Sequence, residues 1–211
     1  MAAIGLTTLT AFTRPAADFA RRLLVEAGYE VVLFEADGAG GRALESAIHA
    51  GRLSAVLDLA LCELAAEVAG SVATAGPDRL TAASLRGIPQ VVVLGGLDLV
   101  PWGSLESFPR VFRSGRWLTE CGVVYRTTVE ENDRLGKEIA YKLSAARGPA
   151  AVLVPLRGLS SLDMQGGPFW FPEANRALFQ SLGNWIGPQV ERVEIDAHLN
   201  DAAVATSAAE V

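Results

Sequence analysis

The stretch Val31-Val-Leu-Phe-Glu-Ala-Asp-Gly-Ala-Gly-Gly-Arg42 indicates how this chain folds. An apolar run typical of a buried strand leads into three glycines within four positions, and a helix-like stretch follows from near Arg42. Glycines have no Cβ, so the N–H groups of such a loop can turn toward one ligand. A helix beginning near Arg42 would add its positive end and a guanidinium group. The stretch therefore predicts a strand–loop–helix unit, in which the loop either binds a phosphate or carboxylate or simply connects the two elements.

The alternation of apolar runs and amphipathic stretches continues along the whole chain. Near-continuous Val, Ile, Leu and Ala content is typical of parallel strands that are covered on both faces. The fold class is therefore predicted to be α/β, with a three-layer, Rossmann-like, doubly wound and mainly parallel sheet of about six strands. The candidate strands are Ala3–Thr7, Glu30–Phe34, Ala55–Leu59, Gln90–Leu94, Ala150–Pro155 and Val190–Asp196.

Helices are predicted between these strands, and we expect one domain over residues 1–211. Residues 95–125 are the least regular part and are predicted to be an excursion or lid. Residues 202–211 are predicted to be a frayed tail or a short alanine-rich helix, which would be marginal in isolation. The predicted helices are Pro15–Ala27, Pro77–Arg86, one opened by the capping box Thr128-Val-Glu-Glu131, and Pro172–Ile186.

Composition excludes several classes of protein. The net charge is −6 and half of the residues are hydrophobic, so we expect a real core and no nucleic-acid partner. Cys62 and Cys121 are too few for a disulfide scaffold and too irregular for zinc, and Cys62 is expected to be a buried thiol. No apolar run reaches the roughly 18 residues that span a bilayer. We expect a soluble cytoplasmic protein without a membrane partner and without haem, flavin or zinc.

Polar clusters follow the predicted strands at the points where they end. Ligands of open parallel sheets bind beyond the carboxyl ends of the strands, so placement of every cluster at one edge favours a binding site there. The glycine loop follows the second strand, Arg157 to Gly167 follow the fifth, and Asp196-Ala-His-Leu-Asn-Asp201 follows the sixth.

These clusters supply candidates for three kinds of role. The anion-binding candidates are Gly38, Gly40, Gly41 and Arg42, with Arg157, Gly158, Gly166, Gly167 and Asn200 opposite. The catalytic candidates are His198 as acid/base together with Asp163 and Ser160, and Asp196 and Asp201 could bind a divalent cation.

Each candidate also has a structural alternative. Ser160 and Asp163 could be turn and N-cap residues, and His198 could be a hydrogen-bonded structural histidine. Arg157 could form a surface ion pair. The aromatic run Phe169–Phe171 could stack on a purine or fill the core.

Three sequence motifs bear on which ligands and reactions the chain is expected to support. The chain has no P-loop and no G-x-S-x-G elbow. Gly38-Ala-Gly-Gly-Arg-Ala43 fits the dinucleotide pattern G-x-G-x-x-A, and Asp58 lies 20 residues beyond Gly38. However, Glu35 and Asp37 precede the glycines, where their charge opposes a pyrophosphate, and the loop follows the second strand rather than the first. A nicotinamide site is therefore not favoured.

With these residues assembled, the chain resembles the second half of the Tm-one-like ATP-binding domain proteins, an uncharacterised family related to a plant tobamovirus-resistance protein. The resemblance covers nearly the whole chain in order. Its stretches are Gly28–Val31 with Gly38–Ala43, Val56–Leu59 with Glu63-Leu64, Ala75–Leu80, Gly87–Val91, Arg126–Thr128, Pro155–Gly158 with Gly166–Phe169, and Asp196–Asp201.

The resemblance implies two tandem Rossmann-like subdomains that bind a nucleotide, so ATP, with Mg²⁺, is the implied cofactor. This chain begins where the second subdomain of the family begins. We therefore expect it to work with a homologous first subdomain on a separate chain or as a homo-oligomer. The family's His-Asn-Pro-like stretch is replaced here by Leu118-Thr-Glu-Cys-Gly122.

Three functional hypotheses follow from the sequence. The leading hypothesis is a nucleotide- or phosphometabolite-binding module at the carboxyl edge, with a small anionic ligand. The second is an enzyme that acts on a small carboxylate or phosphate substrate, with Ser160 or Asp163 doing the chemistry and His198 as acid/base. The third is a subunit that only scaffolds its partner.

Overall fold

The structure is a computed structural model that describes residues 3–119 and 122–211. The sequence-based expectation for Cys121, and part of the Leu118–Gly122 stretch, lie outside the described residues. The strands are β1 Ala3–Thr8, β2 Glu30–Glu35, β3 Ala55–Asp58, β4 Gln90–Val93, β5 Leu99–Gly103, β6 Trp117–Leu118, β7 Val123–Arg126, β8 Ala150–Pro155 and β9 Glu191–Ile195. The helices are α1 Thr10–Glu26, α2 Ala39–His49, α3 Cys62–Ala69, α4 Ala82–Arg86, α5 Val129–Ser144, α6 Pro172–Trp185 and α7 Ala202–Glu210.

A six-stranded sheet in the order β2-β1-β3-β4-β8-β9 forms the centre of the fold. All of its strand pairs are parallel, as expected for the near-continuous apolar runs in the sequence. The predicted doubly wound α/β fold is therefore confirmed, with six strands. The chain runs from β1 outward to β2 and then back across β1 to β3, so the strand order reverses between β1 and β3.

Helices cover both faces of this sheet. The face that carries Leu6, Leu57 and Leu153 packs against α1 and α7. The opposite face packs against α3, α5 and α6 near its centre and against α2 and α4 on the side of β3. None of the helices within residues 3–119 and 122–211 is long and apolar enough to cross a lipid bilayer.

The predicted excursion contains a small sheet of its own. Strands β5, β7 and β6 pair in antiparallel fashion, and a 3₁₀ turn at Arg110–Ser114 lies between them. Five aromatic rings hold this unit together with centroid distances of 4.7–6.3 Å: Trp102, Phe108, Phe112, Trp117 and Tyr125. Strand β5 contains Pro101 and ends at Gly103, and β6 has two residues, so the expectation of an irregular segment missed these strands.

Three helix predictions differ from the structure in their bounds. Helix α1 begins at Thr10 rather than near Pro15, and Thr13 Oγ1 accepts a hydrogen bond from Leu9 N at its start. Helix α2 begins at Ala39, which places two of the glycines in its first turn. Only Ala82–Arg86 of the predicted Pro77–Arg86 helix is helical, because residues 77–81 form turns that send the Arg79 side chain into the interior.

The C-terminal segment is an ordered element of the fold. Helix α7 packs along α1, and Val204 and Ala205 are fully buried there. Burial of this apolar stripe compensates for the low stability of a nine-residue helix in isolation.

Close approach of α5 and α6 generates the first prediction. A Cβ on Gly136 would lie 2.5 Å from Leu178 O and 2.8 Å from Leu182 N, which are backbone atoms of α6. We expect Gly136→Ala to lower the free energy of unfolding by roughly 1–2 kcal/mol, because the steric cost exceeds the gain in helix propensity. Urea unfolding followed by circular dichroism measures this change.

Gly183→Ala is the matched control on α6. A Cβ there would meet only the guanidinium end of Arg192, at 2.5 Å from Nη1, and that side chain can move away. We expect this variant to be neutral or stabilised. Equal effects of the two substitutions would contradict the packing account.

Candidate functional site at the carboxyl edge

The sequence-predicted site residues lie in loops at one edge of the main sheet, which we call the carboxyl edge. It comprises the loops that follow β1, β2, β3, β4, β8 and β9. Because the six strands are parallel, all of these loops leave the sheet on the same side.

The glycine loop between β2 and α2 binds a carboxylate of the chain itself. Gly38 N and Gly41 N donate to Glu63 Oε1 at 2.6 and 3.0 Å, and Gly40 N donates to Asp37 Oδ1 at 2.8 Å. A Cβ on Gly41 would lie 2.1 Å from Glu63 Oε2, so only glycine permits this approach. The N–H groups that were predicted to face a ligand are therefore engaged by side chains of the loop and of α3.

Glu63 belongs to a cluster around the fully buried side chain of Arg79. Arg79 Nε donates to Glu63 Oε2 at 2.7 Å, and its two Nη atoms donate to both oxygens of Asp58 at 2.6 and 2.8 Å. Glu45 Oε1 lies 3.4 Å from Arg79 Nη1, and Thr7 Oγ1 donates to Asp58 at 2.7 Å. We call these five residues the Arg79 cluster. It ties β1, β3, α2 and α3 together beneath the glycine loop.

The charges in this cluster shift the pKa values of its members. Burial raises the pKa of Glu63, and the charge and hydrogen bond of Arg79 oppose that effect. Burial alone would lower the pKa of Arg79, but its carboxylate neighbours outweigh burial and hold it well above its ordinary value. Arg79 therefore stays charged and is the counterion that permits three carboxylates in the interior.

The N-terminus of α1 lies at the point where the strand order reverses, between β1 and β3. Glu35 occupies it: its carboxylate accepts hydrogen bonds from Thr10 N at 2.5 Å and from Thr10 Oγ1 at 2.7 Å. Thr8 at the end of β1 is buried, and its hydroxyl has no hydrogen-bond partner in the part of the chain that the structure describes. Crevices at such reversals are where open α/β sheets bind ligands.

Loops after β8 and β9 close around the same first turn of α1. Ser161 N and Asn200 Nδ2 both donate to Phe12 O, at 3.0 and 3.1 Å. Asn200 Oδ1 accepts from Ala16 N at 3.4 Å. The structure therefore brings the predicted Asn200 close to α1, whose first residue contacts Glu35.

The three catalytic candidates come together, but not as a nucleophile and its base. Ser160 Oγ donates to Asp98 Oδ2 at 2.6 Å, whereas His198 Nε2 lies 2.9 Å from the backbone oxygen of Ser160. His198 Nδ1 accepts a hydrogen bond from Asn200 N, so in this arrangement Nε2 is the ring nitrogen that faces Ser160 O as the donor. Ser160 and Asp163 are fully buried. The serine hydroxyl therefore faces a carboxylate and not the imidazole.

Gly158 is required by close packing. Its φ is +133°, and a Cβ would lie 1.7 Å from Asp163 O. Gly166 also has a positive φ and is exposed, and a Cβ on Gly167 would meet Leu162 O at 2.6 Å. These glycines shape the loop after β8. Phe169 of the neighbouring aromatic run is buried in the core, and Phe171 lies beneath the guanidinium of Arg116.

The two candidate cation ligands are engaged by other groups. Asp196 forms a bidentate ion pair with Arg157, with both distances 2.7 Å, and Asp201 Oδ2 accepts from His198 N at 2.9 Å. Within residues 3–119 and 122–211, no group of three or more His, Cys, Asp or Glu side chains could hold a metal ion. These residues do not fit a resident metal site.

The two halves of the predicted anion site lie far apart. The glycine loop and Arg42 follow β2, while Arg157 and Gly158 follow β8, four strand positions away in the sheet. At the usual spacing of neighbouring strands this is about 19 Å. A single phosphate cannot touch both, so a shared ligand would have to extend along the edge.

Sequence reasoning missed the residues that organise this edge: Glu35 at the start of α1, Arg79 and Glu63, and Asp98 with Arg126. The available signal for Arg79 was a lone arginine between Pro77 and a buried helix, within a stretch that carried the family resemblance. Its partners are 16 to 34 residues away, so spacing alone could not identify them. Cys62 is buried as expected, and burial raises the pKa of its thiol well above the ordinary value.

Comparison with known proteins assigns the chain to a family. A sequence-family description, "Uncharacterised protein family (UPF0261) C-terminal domain", matches residues 1–211. The chain belongs to this family. This confirms the resemblance that the sequence motifs indicated.

Relatives are found in bacteria and in a plant. The chain is 40% identical over 205 residues to a UPF0261 protein of Clostridium tetani, with 96% of this chain and 51% of the relative covered. It is 36% identical to a UPF0261 protein of Rhizobium meliloti, covering 98% and 52%. It is 34% identical to the ToMV resistance protein Tm-1(GCR237) of Solanum lycopersicum, covering 95% and 27%. The chain thus spans about half the length of the bacterial relatives.

Among solved structures, the esterase domain of a Rhodothermus marinus protein resembles this chain with a TM-score of 0.48. The identity is 15%, and the match covers 99% of this chain and 82% of that domain.

The Arg79 cluster generates the second prediction. Arg79→Met removes the counterion of three buried carboxylates, so we expect the free energy of unfolding to fall by about 3–5 kcal/mol. Stability should recover in part at lower pH, because protonation then neutralises the uncompensated carboxylates. Thermal unfolding at several pH values measures both effects.

Arg14→Met is the control, since Arg14 forms an exposed i,i+4 pair with Asp18 at 2.8 Å. We expect a loss of at most about 1 kcal/mol there. A loss of similar size for the two arginines would show that the Arg79 cluster does not hold the edge together.

Proposed function

We propose that this chain is a binding module for a small anionic ligand of the nucleotide or phosphometabolite class. The ligand's anionic group binds at the N-terminus of α1, in the crevice between β1 and β3. A second α/β unit, either a homologous first subdomain or another copy of the chain, covers the ligand from outside.

Occupation of the α1 N-terminus by Glu35 is the observation that carries this proposal. The carboxylate accepts two hydrogen bonds from Thr10, and the Glu35 side chain is only partly buried. Helix N-termini bind carboxylates and phosphates through the same N–H groups and the same dipole. Glu35 therefore stands in for a ligand anion, and an incoming phosphate would replace it.

Exposed arginines lie on the same edge and could contact different parts of a ligand that extends along it. Arg14 lies one turn along α1, and the side chain of Arg42 donates to Thr74 O. Arg157 is 64% exposed and its partner Asp196 is 70% exposed. A surface ion pair of this kind contributes about 0–1 kcal/mol, so exchange of Asp196 for a phosphate costs little.

The length of the relatives supports the second unit. The matched region is a C-terminal domain and covers about half of the bacterial proteins. The carboxyl edge faces outward from the sheet of this chain. A partner unit would exclude water from a ligand that this chain contacts on one side only.

Mg²⁺ has no site of its own among the candidate residues, because Asp196 and Asp201 are engaged by Arg157 and His198. If the ligand is ATP, the cation would be carried by the phosphates. We favour binding over catalysis because Ser160 and Asp163 are fully buried and His198 is oriented by backbone groups.

Glu35→Gln tests the proposal. Removal of a competing charge from the α1 N-terminus should strengthen binding of ATP or ribose 5-phosphate by about 2–10-fold. Isothermal titration calorimetry with each ligand, with and without Mg²⁺, measures the affinities.

Glu30→Gln is the matched control: it makes the same charge change on the same strand but at the opposite end of β2, where Glu30 is exposed. We expect unchanged affinity. The proposal is contradicted if neither ligand binds to the wild type or to Glu35→Gln, or if both variants change affinity equally.

A further inference from the structure

A second buried polar cluster lies where the excursion leaves and rejoins the main sheet. Asp98 precedes β5, and Arg126 ends β7, so these residues mark the two ends of the excursion. Thr127 N donates to Asp98 O at 3.1 Å, which joins the ends. Asp163 of the loop after β8 lies beside them, with its Oδ1 atom 3.9 Å from Arg126 Nη2.

In Asp98 and in Asp163, the oxygen Oδ2 of the carboxyl group accepts hydrogen bonds. Asp98 Oδ2 accepts from Ser160 Oγ at 2.6 Å. Asp163 Oδ2 accepts from Leu159 N at 3.0 Å and from Asn175 Nδ2 at 2.7 Å. The other oxygen of each group, Oδ1, is buried and has no hydrogen-bond partner among residues 3–119 and 122–211. Two buried acceptors without a donor are costly, and native structures rarely leave such a pair unsatisfied.

Arg126 does not supply the missing donors. Its Nε donates to Phe169 O at 2.8 Å, Nη1 to Thr127 Oγ1 at 2.7 Å and Nη2 to Asn175 Oδ1 at 2.6 Å. These bonds direct the guanidinium at Phe169 of the loop after β8, at Asn175 of α6 and at Thr127. Arg126 contributes one positive charge to the cluster, whereas two ionised carboxylates would contribute two negative charges.

We propose that Asp98 holds a proton, which it donates to Asp163, and that this hydrogen bond joins the excursion to the loop after β8. A proton on Asp98 Oδ1 makes that atom a donor, and Asp163 Oδ1 accepts from it directly or through one buried water. One proton thus satisfies both orphaned oxygens. It also reduces the charge of the cluster to that of a single carboxylate paired with Arg126.

The electrostatic surroundings agree with this assignment. Burial, followed by the negative charge of Asp163, raises the pKa of Asp98 to about 7, against the opposing effect of Arg126. The other ionisable groups around the cluster include Cys62 of α3, whose thiol stays neutral, and Arg116 and Tyr125 near Arg126. His198 also faces it from the loop after β9, with Nε2 2.9 Å from Ser160 O. A carboxyl group that is buried beside a second negative charge retains its proton for the same reason in other acid pairs.

The proton gives the junction a pH dependence of defined sign. A carboxyl group with a raised pKa in the folded state stabilises the fold fully below its unfolded pKa, near 4, and this contribution is lost as pH rises toward 7. Above neutral pH the two carboxylates repel each other across the junction. The small sheet of the excursion, which β5 and β7 connect to this junction, then becomes less firmly attached to the main sheet.

Asp98→Asn tests this proposal, because the amide keeps an acceptor for Ser160 and supplies a permanent donor for Asp163. We expect the wild-type Tm to fall by about 5–10 °C between pH 5 and pH 8 relative to this variant, whose profile should be flatter. Hydrogen exchange of excursion amides should speed up at pH 8, after correction for intrinsic rates, in the wild type only. Carbon NMR of labelled Asp side chains should show one buried group that titrates near neutral pH.

Asp58→Asn is the control, since both Asp58 oxygens already accept from Arg79. We expect it to lower stability at pH 5 and at pH 8 alike. If no buried Asp titrates above pH 5, or if Asp98→Asn leaves the slope of Tm against pH unchanged, the proposed proton on Asp98 does not exist. Titration near neutral pH with unchanged exchange in the excursion would overturn its fastening role.

Discussion

The ion cluster around Arg79 is the interaction on which the carboxyl edge depends. One buried guanidinium compensates carboxylates from α2, β3 and α3, and one of these, Glu63, holds the N–H groups of Gly38 and Gly41. The buried positive charge of Arg79 therefore determines, through Glu63, the path of the chain from β2 into α2. Buried ion pairs contribute little to stability against apolar replacements, but loss of one member leaves an uncompensated charge. The cluster thus specifies this loop conformation more than it stabilises the chain as a whole.

Internal carboxylates occupy helix N-termini repeatedly along this edge. Glu63 and Asp37 accept from the first turn of α2, and Glu35 accepts from Thr10 at the start of α1. Of these, Glu63 is locked by Arg79, whereas the Glu35 carboxylate is partly exposed and accepts hydrogen bonds from Thr10. This difference in restraint directs the ligand proposal to α1 and away from the glycine loop. The same edge carries the acid pair Asp98 and Asp163, which connects the excursion to the sheet.

The strands of the main sheet could be predicted from the sequence because the central ones are buried on both faces, which imposes a continuous apolar run. The observed Ala150–Pro155 strand matches its predicted bounds, and the other five differ by one or two residues in all. Helix starts were harder to predict, as α1 shows, because Leu9 and Thr13 open it without a capping motif. The location of the site could be predicted, but the groups that occupy it could not. Strand order put the polar clusters on one edge, but nothing in the sequence could show that the anion bound by the glycines is Glu63, which is 22 residues beyond Gly41.

The protection of two backbone amides tests this account most directly. Hydrogen exchange of Gly38 N–H and Gly41 N–H, measured by NMR with and without saturating inorganic phosphate or ATP, reports whether these groups bind an internal or an external anion. The account predicts slow exchange in the free protein and no change in either amide on addition of phosphate or ATP, because both stay bonded to Glu63. Fast exchange in the free protein that slows when phosphate or ATP is added would contradict it, since the glycine loop would then be an open anion site.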